Sequence, residues 1–304
     1  MRYQSLTRLT LTALTLVCTS FFTSCFTPVG DDVFLPFEEK LVIRGILVVG
    51  EQLNDIQISR TLPVLDTFSY NKIFIADAKA SIAVGGQTFP MELQTRMTTA
   101  SVVVRSLYRV PNVRVEAGKT YTLTVEWQTP AGKTLKASAS TTTPLLPNVD
   151  SVRVLAAFTP NLRTMRIDTI FQTDAFVKAR ANESMRVGTV VYNQAGLAFS
   201  NRGFGDAVFS TTGTVLGTTT RISSNNWQLT TATVQVLNAS YRSRAIIETY
   251  DMDYFKYYQT RNRSGQPSPL NPGGPNIDWN VAGDGVGMFI GMAQVQVFAP
   301  VRRP

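Results

Sequence analysis

The chain has 304 residues, with 29 Lys or Arg against 21 Asp or Glu, two cysteines and no histidine, and its formal net charge is +8. Without histidine, a Ser-His-Asp triad, a Cys-His pair, a histidine general base and a histidine-ligated zinc ion are all excluded. An enzyme would have to use carboxylates, Lys, Ser, Tyr or a metal bound by oxygen.

The first 24 residues have the layout of an export signal. Arg2 and Arg8 precede the apolar run "LTLTALTLVCTSFF", which is shorter than the roughly 20 residues of a membrane-spanning helix. Residues 22–25 read "FTSC", and the small residue before Cys25 suits cleavage by a signal peptidase. The tetrapeptide resembles a bacterial lipobox, and this resemblance implies that Cys25 becomes the lipid-modified first residue. Cleavage without lipid and an uncleaved anchor are the alternatives.

Processing before Cys25 would leave a chain held at a membrane by acyl chains. It would also remove Cys18, so no disulfide could form within one mature chain. Residues 25–36, "CFTPVGDDVFLP", contain Pro and Gly and are predicted to form a tether. We expect the protein to attach to a membrane through acylated Cys25, with the membrane face left open.

Residues 37–147 are predicted to form an antiparallel β-sandwich of immunoglobulin or fibronectin type. The segments "KLVIRGILVVG" and "NDIQISRTLPVLD" are rich in β-branched residues and are bounded by Gly, Asn and Asp. In "TYTLTVEW", apolar and polar residues alternate, which predicts a strand with one buried face. "TPAG" predicts a turn, and "KTLKASASTTT" the returning partner strand. The proline-containing segment "TTTPLLPNVDS" indicates a domain boundary near Pro147.

Residues 148–300 are predicted to form a second β-rich domain with one short helix. Six segments, from "DSVRVLAAF" to "GMFIGMAQVQVFA", are strand-like and are separated by Gly, Asn and Ser clusters. Only "DMDYFKYYQTRN" has helical spacing, and Asp251 or Asp253 can cap its start. The predicted fold class is therefore all-β.

Four aromatic side chains on and near this helix are the candidate binding residues. Exposed aromatic rings can stack on sugar rings or anchor a protein partner. Packing of the same rings between the helix and the sheet is the alternative role. The four residues are Tyr254, Tyr257, Tyr258 and Trp279.

Carboxylates offer the remaining route to catalysis, because glycoside hydrolysis needs two acids about 5 to 10 Å apart. The candidates are Asp251 with Asp253, Asp278 with Asp284, and Glu183. Helix capping explains the first pair more simply. Whether any pair is catalytic is left open.

Other ligand classes are not supported by the sequence. The glycine string "AGDGVGMFIG" lacks the βαβ context of a nucleotide-binding motif and predicts a tight turn into the final strand. Asp278, Asn280 and Asp284 do not have the spacing of an EF-hand calcium loop. Basic residues are dispersed rather than arranged in a stripe. We therefore expect no cofactor, no metal and no nucleic-acid partner.

Three features together suggest a family. They are the lipobox followed by an acidic, proline-containing segment and "KLVIRGILVVG"; the central "AGKTYTLTVEW"; and the C-terminal stretch from "MDYFKYYQ" to "NPGGPNIDWNVAGDGVGMFIG". Across most of residues 25–298 they resemble the domain-of-unknown-function 4249 family of Bacteroidota cell-envelope lipoproteins. The resemblance implies an accessory protein of TonB-dependent outer-membrane receptors in nutrient uptake, and it carries over no catalytic residue.

The leading functional hypothesis is thus a non-enzymatic binding or accessory module at the outer membrane, with a receptor or a glycan as its partner. A carboxylate-dependent, polysaccharide-cleaving enzyme is the first alternative. A structural adhesin or fibre subunit joined by strand exchange is the second.

Overall fold

The computed structural model describes residues 37–63, 65–98, 103–161, 166–178, 180–192, 203–204, 209–210, 219–231, 242–263 and 277–302. Within these ranges the chain forms seventeen strands and two helices. The strands are β1 (Leu41–Val48), β2 (Ile56–Arg60), β3 (Lys79–Val84), β4 (Gln87–Pro90), β5 (Glu92–Thr98), β6 (Val103–Arg109), β7 (Thr120–Gln128), β8 (Thr134–Thr142), β9 (Val149–Asn161), β10 (Arg166–Lys178), β11 (Ser184–Tyr192), β12 (Gly203–Phe204), β13 (Phe209–Ser210), β14 (Thr219–Thr231), β15 (Arg242–Tyr250), β16 (Val281–Gly283) and β17 (Gly285–Arg302). The helices are α1 (Tyr70–Ile73), a single turn, and α2 (Met252–Arg263).

The hairpin of β7 and β8 shows how the sequence pattern sets the faces of the sheet. Alternate residues of β7 are buried, as the alternation predicts, and the pattern continues in β8. The strands pair antiparallel from Thr120 with Thr142 to Gln128 with Thr134. In the connecting turn, the Thr129 N–H donates to the carbonyl of Lys133 at 2.8 Å. The predicted strand, turn and partner strand are confirmed.

Two sheets enclose the core of the first half of the chain. One has the strand order β16-β8-β7-β3-β4. The other follows the order β17-β1-β2-β6-β5 and is part of a larger, twelve-stranded sheet. Large buried side chains from both sheets fill the space between them, among them Leu41, Ile43, Ile58, Tyr121, Leu123, Val125 and Phe289.

The larger sheet continues through the second half of the chain. Beyond β17 the order is β15-β11-β12, and β9, β10 and β14 form an arm that meets β17 through a short parallel contact at Val301 and Val154. A second core lies between these groups of strands, with Val177, Met185, Val187, Ile222 and Ile247 among its members.

Strand β17 belongs to both halves. Residues 285–292 pair in parallel with β1, and residues 292–300 pair antiparallel with β15. The short strand β16 adds to the edge of β8. Strands from both sides of the boundary predicted near Pro147 therefore share sheets, and residues 39–304 form one compact unit. The division into residues 37–147 and 148–300 stays a prediction.

The observed fold class is all-β and sandwich-like, as the sequence predicts. Among the described strands, only the pairs β1 with β17 and β9 with β17 are parallel. No described helix is long and apolar enough to cross a membrane.

Candidate functional site

Helix α2 begins at a cap supplied by Asp251. Its Oδ1 accepts the backbone N–H of Tyr254 at 3.1 Å, the geometry of an N-cap. The hydroxyl of Ser184 donates to the Asp251 carbonyl at 3.0 Å, which fixes the residue against β11. One turn on, Lys256 pairs with Asp253 at 2.9 Å. The predicted helix is confirmed, and so is the capping role of Asp251.

Asp251 also connects the helix to strand β17. Its Oδ2 accepts the backbone N–H of Gly291 at 3.1 Å and the hydroxyl of Thr141. The Asp251 N–H donates in turn to the carbonyl of Gly291 at 3.3 Å. A Cβ on Gly291 would lie 2.7 Å from the Cα of Thr143, so this close crossing of β17 and the end of β8 requires glycine.

Of the four predicted aromatic residues, Tyr254 faces the protein. Its ring stacks on that of buried Tyr250, with centroids 4.1 Å apart and planes inclined by 20°. Arg186 donates a hydrogen bond from Nη1 to the Tyr254 hydroxyl at 3.3 Å. Tyr258 is partly buried. For Tyr254, the packing alternative describes the observed geometry best.

Partly buried Tyr257 and exposed Trp279 form a second ring pair. Their ring centroids lie 5.6 Å apart at an angle of 37°, and Trp279 remains 42% exposed. The structure thus brings together two residues that are 22 positions apart in the sequence. Such a tilted pair presents apolar ring surface to solvent beside the helix, as an aromatic binding platform requires.

The backbone around Trp279 is held by hydrogen bonds on both sides. The Asn280 side chain donates to the Phe289 carbonyl at 2.6 Å and accepts the Phe289 N–H at 2.9 Å. The Asp278 N–H donates to the hydroxyl of Thr260 in helix α2 at 3.1 Å. Trp279 is therefore positioned before any ligand arrives, which lowers the entropic cost of binding.

A cleft of about 490 Å³ opens beside the start of helix α2. Its walls are the end of β8 with the residues that follow it, the turn between β10 and β11, and the first turn of α2. Hydroxyl and carboxylate groups dominate the polar lining, which includes Ser140, Thr141, Asn182, Glu183, Asp251 and Asp253. The cleft therefore suits a polar or cationic group better than an anion.

Two acids of this cleft hold protons more tightly than usual. Burial raises the pKa of Glu183, although the Arg180 guanidinium at 3.5 Å opposes the shift. Burial also raises the pKa of Asp251, against the hydrogen bonds that its carboxylate accepts. The pKa of Tyr250, behind them, is raised by burial and by Glu248, to which its hydroxyl donates at 2.6 Å. Carboxyl groups with raised pKa values can act as general acids.

The candidate carboxylate of Asp284 has a structural partner. Asp284 accepts the Lys136 N–H at 3.0 Å, and its own N–H donates to the Lys136 carbonyl at 2.7 Å. These bonds fix the tight turn between β16 and β17, where Gly283 has a φ of +84°, so the predicted turn at the glycine string is confirmed. Within the described ranges, no three His, Cys, Asp or Glu residues are grouped to hold a metal ion.

Two features of the structure were not predicted from the sequence. The first is Thr141, which lies in the buried row of β8 at a position where the strand's alternation expects an apolar residue. A hydroxyl in such a row is a signal of a buried polar contact, here the one to Asp251. The second is a group of aromatic rings between β2 and β3, in the segment "FSYNKIF". Tyr70 and Phe74 are at helical spacing, but the helix is a single turn, too short for a periodic pattern to predict it.

Fold and site define an all-β, sandwich-like protein with a short helix beside a polar cleft. A family model described as domain of unknown function (DUF4249) matches residues 25–297, and the chain belongs to this family. Comparison with curated proteins gives no match. The predicted lipidation residue Cys25 lies outside the described residues, so its modification stays a prediction.

Proposed function

We propose that this protein is a non-enzymatic binding module, anchored in the outer membrane of a bacterium by acylated Cys25. Its partner is a TonB-dependent nutrient-uptake receptor or a glycan handled by one. The aromatic pair Tyr257 and Trp279 makes the contact, and the neighbouring cleft accepts a polar group of the same partner.

The observation that carries this proposal is the exposed and fixed ring of Trp279, which packs against partly buried Tyr257. Tryptophan and tyrosine are enriched among residues that contribute most to binding. Here Trp279 keeps 42% of its surface exposed, while its neighbours on both sides are hydrogen-bonded to the rest of the protein. A large apolar ring that the fold orders and leaves uncovered is typical of a contact surface.

Two observations support the lipid anchor. The sequence before Cys25 has the basic start, short apolar run and small residue of an exported lipoprotein. The family match begins at residue 25 itself. Removal of residues 1–24 would therefore leave the whole matched region in the mature protein.

Capture from the native envelope tests the binding proposal. Tagged wild-type protein, a Tyr257→Ala/Trp279→Ala variant and a Phe298→Ala control are extracted in mild detergent, and bound proteins and sugars are identified by mass spectrometry. Phe298 is 73% exposed and lies on strand β17, so the control removes an exposed ring of similar size elsewhere. We expect the double variant to bind its receptor or glycan roughly thirtyfold more weakly, because aromatic hot spots contribute about 2 kcal/mol or more.

The double variant must have the same thermal unfolding midpoint as the wild type, which shows that reduced capture does not come from loss of the fold. Equal capture by all three proteins would exclude the aromatic pair as the contact. The anchor is tested separately by detergent-phase partition and by the mass of the N-terminal peptide, with Cys25→Ser as the control. Finding an unmodified thiol at residue 25 would refute the anchor.

A polysaccharide-cleaving enzyme is the second candidate, and the raised pKa values of Glu183 and Asp251 in one cleft favour it. Its test is incubation with envelope and plant polysaccharides, followed by sizing of the products. If the protein is an enzyme, Glu183→Gln should abolish shortening while Tyr257→Ala/Trp279→Ala mainly raises KM. If wild-type protein shortens no glycan that it binds, the binding proposal stands alone.

A further inference from the structure

The connection between β2 and β3 carries a group of aromatic and aliphatic side chains that do not enter the core. Leu65 is 84% exposed, Phe68 62% and Tyr70 43%. The Phe68 and Tyr70 rings meet edge to face at 5.2 Å, and Tyr70 stacks on Phe74 at 5.8 Å. We call residues 65–74 the aromatic loop. Its rings pack on one another instead of into the core, so apolar surface remains exposed to solvent.

The base of the aromatic loop is firmly held. Arg60 donates from Nε to the Lys72 carbonyl at 2.6 Å. Ile75, which follows the loop, is buried, and the hydroxyl of buried Tyr108 donates to its carbonyl at 3.0 Å. The Ala78 N–H donates to the same hydroxyl at 3.1 Å. The exposure of Leu65 and the rings is therefore a property of an ordered loop.

Charges around the loop are paired. Asp66 bonds Lys72 at 2.5 Å, and this bond lowers the pKa of the Asp66 carboxyl. Arg60 pairs with Glu39 at 2.9 Å. Neutral ion pairs are less costly to bring to an apolar surface than single charges. The local surface is apolar with balanced charge, which does not select for an anionic partner.

The aromatic loop starts where the chain enters the sandwich. The Thr61 N–H donates to the Lys40 carbonyl at 3.0 Å, and the Lys40 N–H donates to the Thr61 hydroxyl at 2.9 Å. Strand β1 begins at the next residue, Leu41. Fourteen residues separate Cys25 from Lys40, so a lipid on Cys25 would lie at most about 50 Å along the chain from this end.

We propose that the aromatic loop inserts its tip, Leu65 and Phe68, into the interfacial layer of the phospholipid bilayer. This inference rests on the proposed lipid anchor, which supplies the bilayer within reach of the loop. Aromatic and aliphatic side chains enter this layer to a depth of roughly 5 to 10 Å, and a weak second contact adds strongly to a lipid anchor by raising the local concentration. The loop thereby sets the orientation of the sandwich on the membrane.

The proposed orientation places the candidate site away from the bilayer. The cleft includes Asp251, which bonds Gly291, and Gly291 is paired with Leu47. Leu47 lies six residues along β1 from Leu41, a distance of about 20 Å at the rise of an extended strand. The loop and the cleft are thus at opposite ends of the paired strands β1 and β17.

Fluorescence quenching tests the insertion. The acylated full-length mature protein carrying Phe68→Trp is reconstituted into phosphatidylcholine vesicles whose acyl chains are brominated near the headgroup. Phe298→Trp is the matched control, because Phe298 is also an exposed phenylalanine and lies outside the aromatic loop. Spectra of the unsubstituted protein are subtracted to remove the emission of its three tryptophans.

We expect about twofold quenching of the added indole emission in the Phe68→Trp variant at the interfacial depth, and no quenching of the control. Replacing a third of the lipid with phosphatidylglycerol should leave the result unchanged, because the loop charges are paired. If each variant emits as strongly in brominated as in plain vesicles, the proposal is overturned. The exposed loop would then be a contact surface for a protein partner.

The loop and the anchor can fail separately. A protein that partitions into detergent but shows no quenching of the Phe68→Trp variant refutes the loop alone. If the native protein is found to carry no acyl chains and the Phe68→Trp variant is still quenched at high lipid concentration, the anchor alone is refuted. Thermal unfolding of each variant, compared with the unsubstituted protein, shows that the substitutions at exposed positions leave the fold intact.

Discussion

Asp251 and Gly291 are joined by two hydrogen bonds, one in each direction. The Gly291 N–H donates to Asp251 Oδ2 at 3.1 Å, and the Asp251 N–H donates to the Gly291 carbonyl at 3.3 Å. One side chain thereby connects the start of helix α2 to the strand shared by both halves of the protein. Because the Thr141 hydroxyl bonds the same carboxylate, the end of β8 belongs to this junction as well.

Asp251→Ala should destabilise the protein by about 2 kcal/mol. The change removes an N-cap and the carboxylate acceptor of the Thr141 hydroxyl, and each loss contributes about 1 kcal/mol. The Gly291 N–H keeps the Thr141 oxygen as an acceptor at 2.8 Å. Asp253→Ala is the matched control, since Asp253 makes a surface ion pair with Lys256 that contributes under about 0.5 kcal/mol. Denaturant unfolding of the three proteins measures the difference. Equal midpoints for Asp251→Ala and Asp253→Ala would contradict the role of the junction.

Stability should fall as pH rises above about 4. Glu183 and Asp251 have raised pKa values in the folded protein, so the native state binds protons more tightly than the unfolded state does. Their contribution is complete below the unfolded pKa and is lost as pH rises through the folded pKa. Unfolding free energies of wild type and Glu183→Gln, measured from pH 4 to 8, check this sign: the variant should have the flatter profile.

Asp66→Asn provides the contrasting control. The pKa of Asp66 is lowered by its bond to Lys72, so its contribution is present above the unfolded pKa and is lost only as pH falls through the folded pKa. The Asp66→Asn profile should therefore run parallel to that of wild type from pH 4 upward. A wild-type stability that rises over this range would show that burial does not raise the pKa values of the two cleft acids.

Gly287→Ala should destabilise the protein by about 3 kcal/mol or more. Gly287 has a φ of +128°, and a Cβ there would lie 2.0 Å from the Ile43 carbonyl oxygen, in the parallel pair of β1 and β17. Gly50→Ala is the matched control, because Gly50 has a φ of +85° but no atom within 4 Å of the added Cβ. It should cost only about 1 kcal/mol of backbone strain. Similar losses at both positions would mean that β17 can shift away from β1.

Residues 37–147 expressed alone should not fold into a stable sandwich. This fragment lacks β17 and β16, which pair with β1 and β8, and it lacks the buried Phe289 of the first core. Loss of a core phenylalanine alone costs about 3 to 5 kcal/mol, and two uncovered strand edges favour aggregation. Joining residues 277–292 to the fragment through a flexible linker should restore cooperative unfolding. A sharp thermal transition of the unlinked fragment would instead support the boundary near Pro147.

Local pattern accounts for what could be predicted about the fold. The alternation in β7, the turn before β8, the cap at Asp251 and the turn at Gly283 each depend on residues within a few positions of one another. The pairing of β1 with β17 joins residues more than 240 positions apart, and neither strand carries a feature that selects the other. Parallel pairing at this separation forms only when distant parts of the chain come together. No short segment of the sequence predicts it.

In the candidate site, too, local features were predictable and contacts between distant segments were not. The helix and its aromatic residues were predictable from spacing, whereas the ring that each one contacts, Tyr250 for Tyr254 and Trp279 for Tyr257, was not. Trp279 and Arg186, which bonds Tyr254, come from distant segments. The cleft was not predicted at all, because its walls come from three separate parts of the chain.

The position of β17 near the end of the chain determines when the protein can close. Neither sheet is complete until residues 281–302 are synthesised, because β16 and β17 pair with strands that come earlier in the chain. Before they emerge, β1 and β15 each have one open edge, and open strand edges favour aggregation. If the protein is exported as proposed, it would cross the membrane before β16 and β17 complete the two sheets.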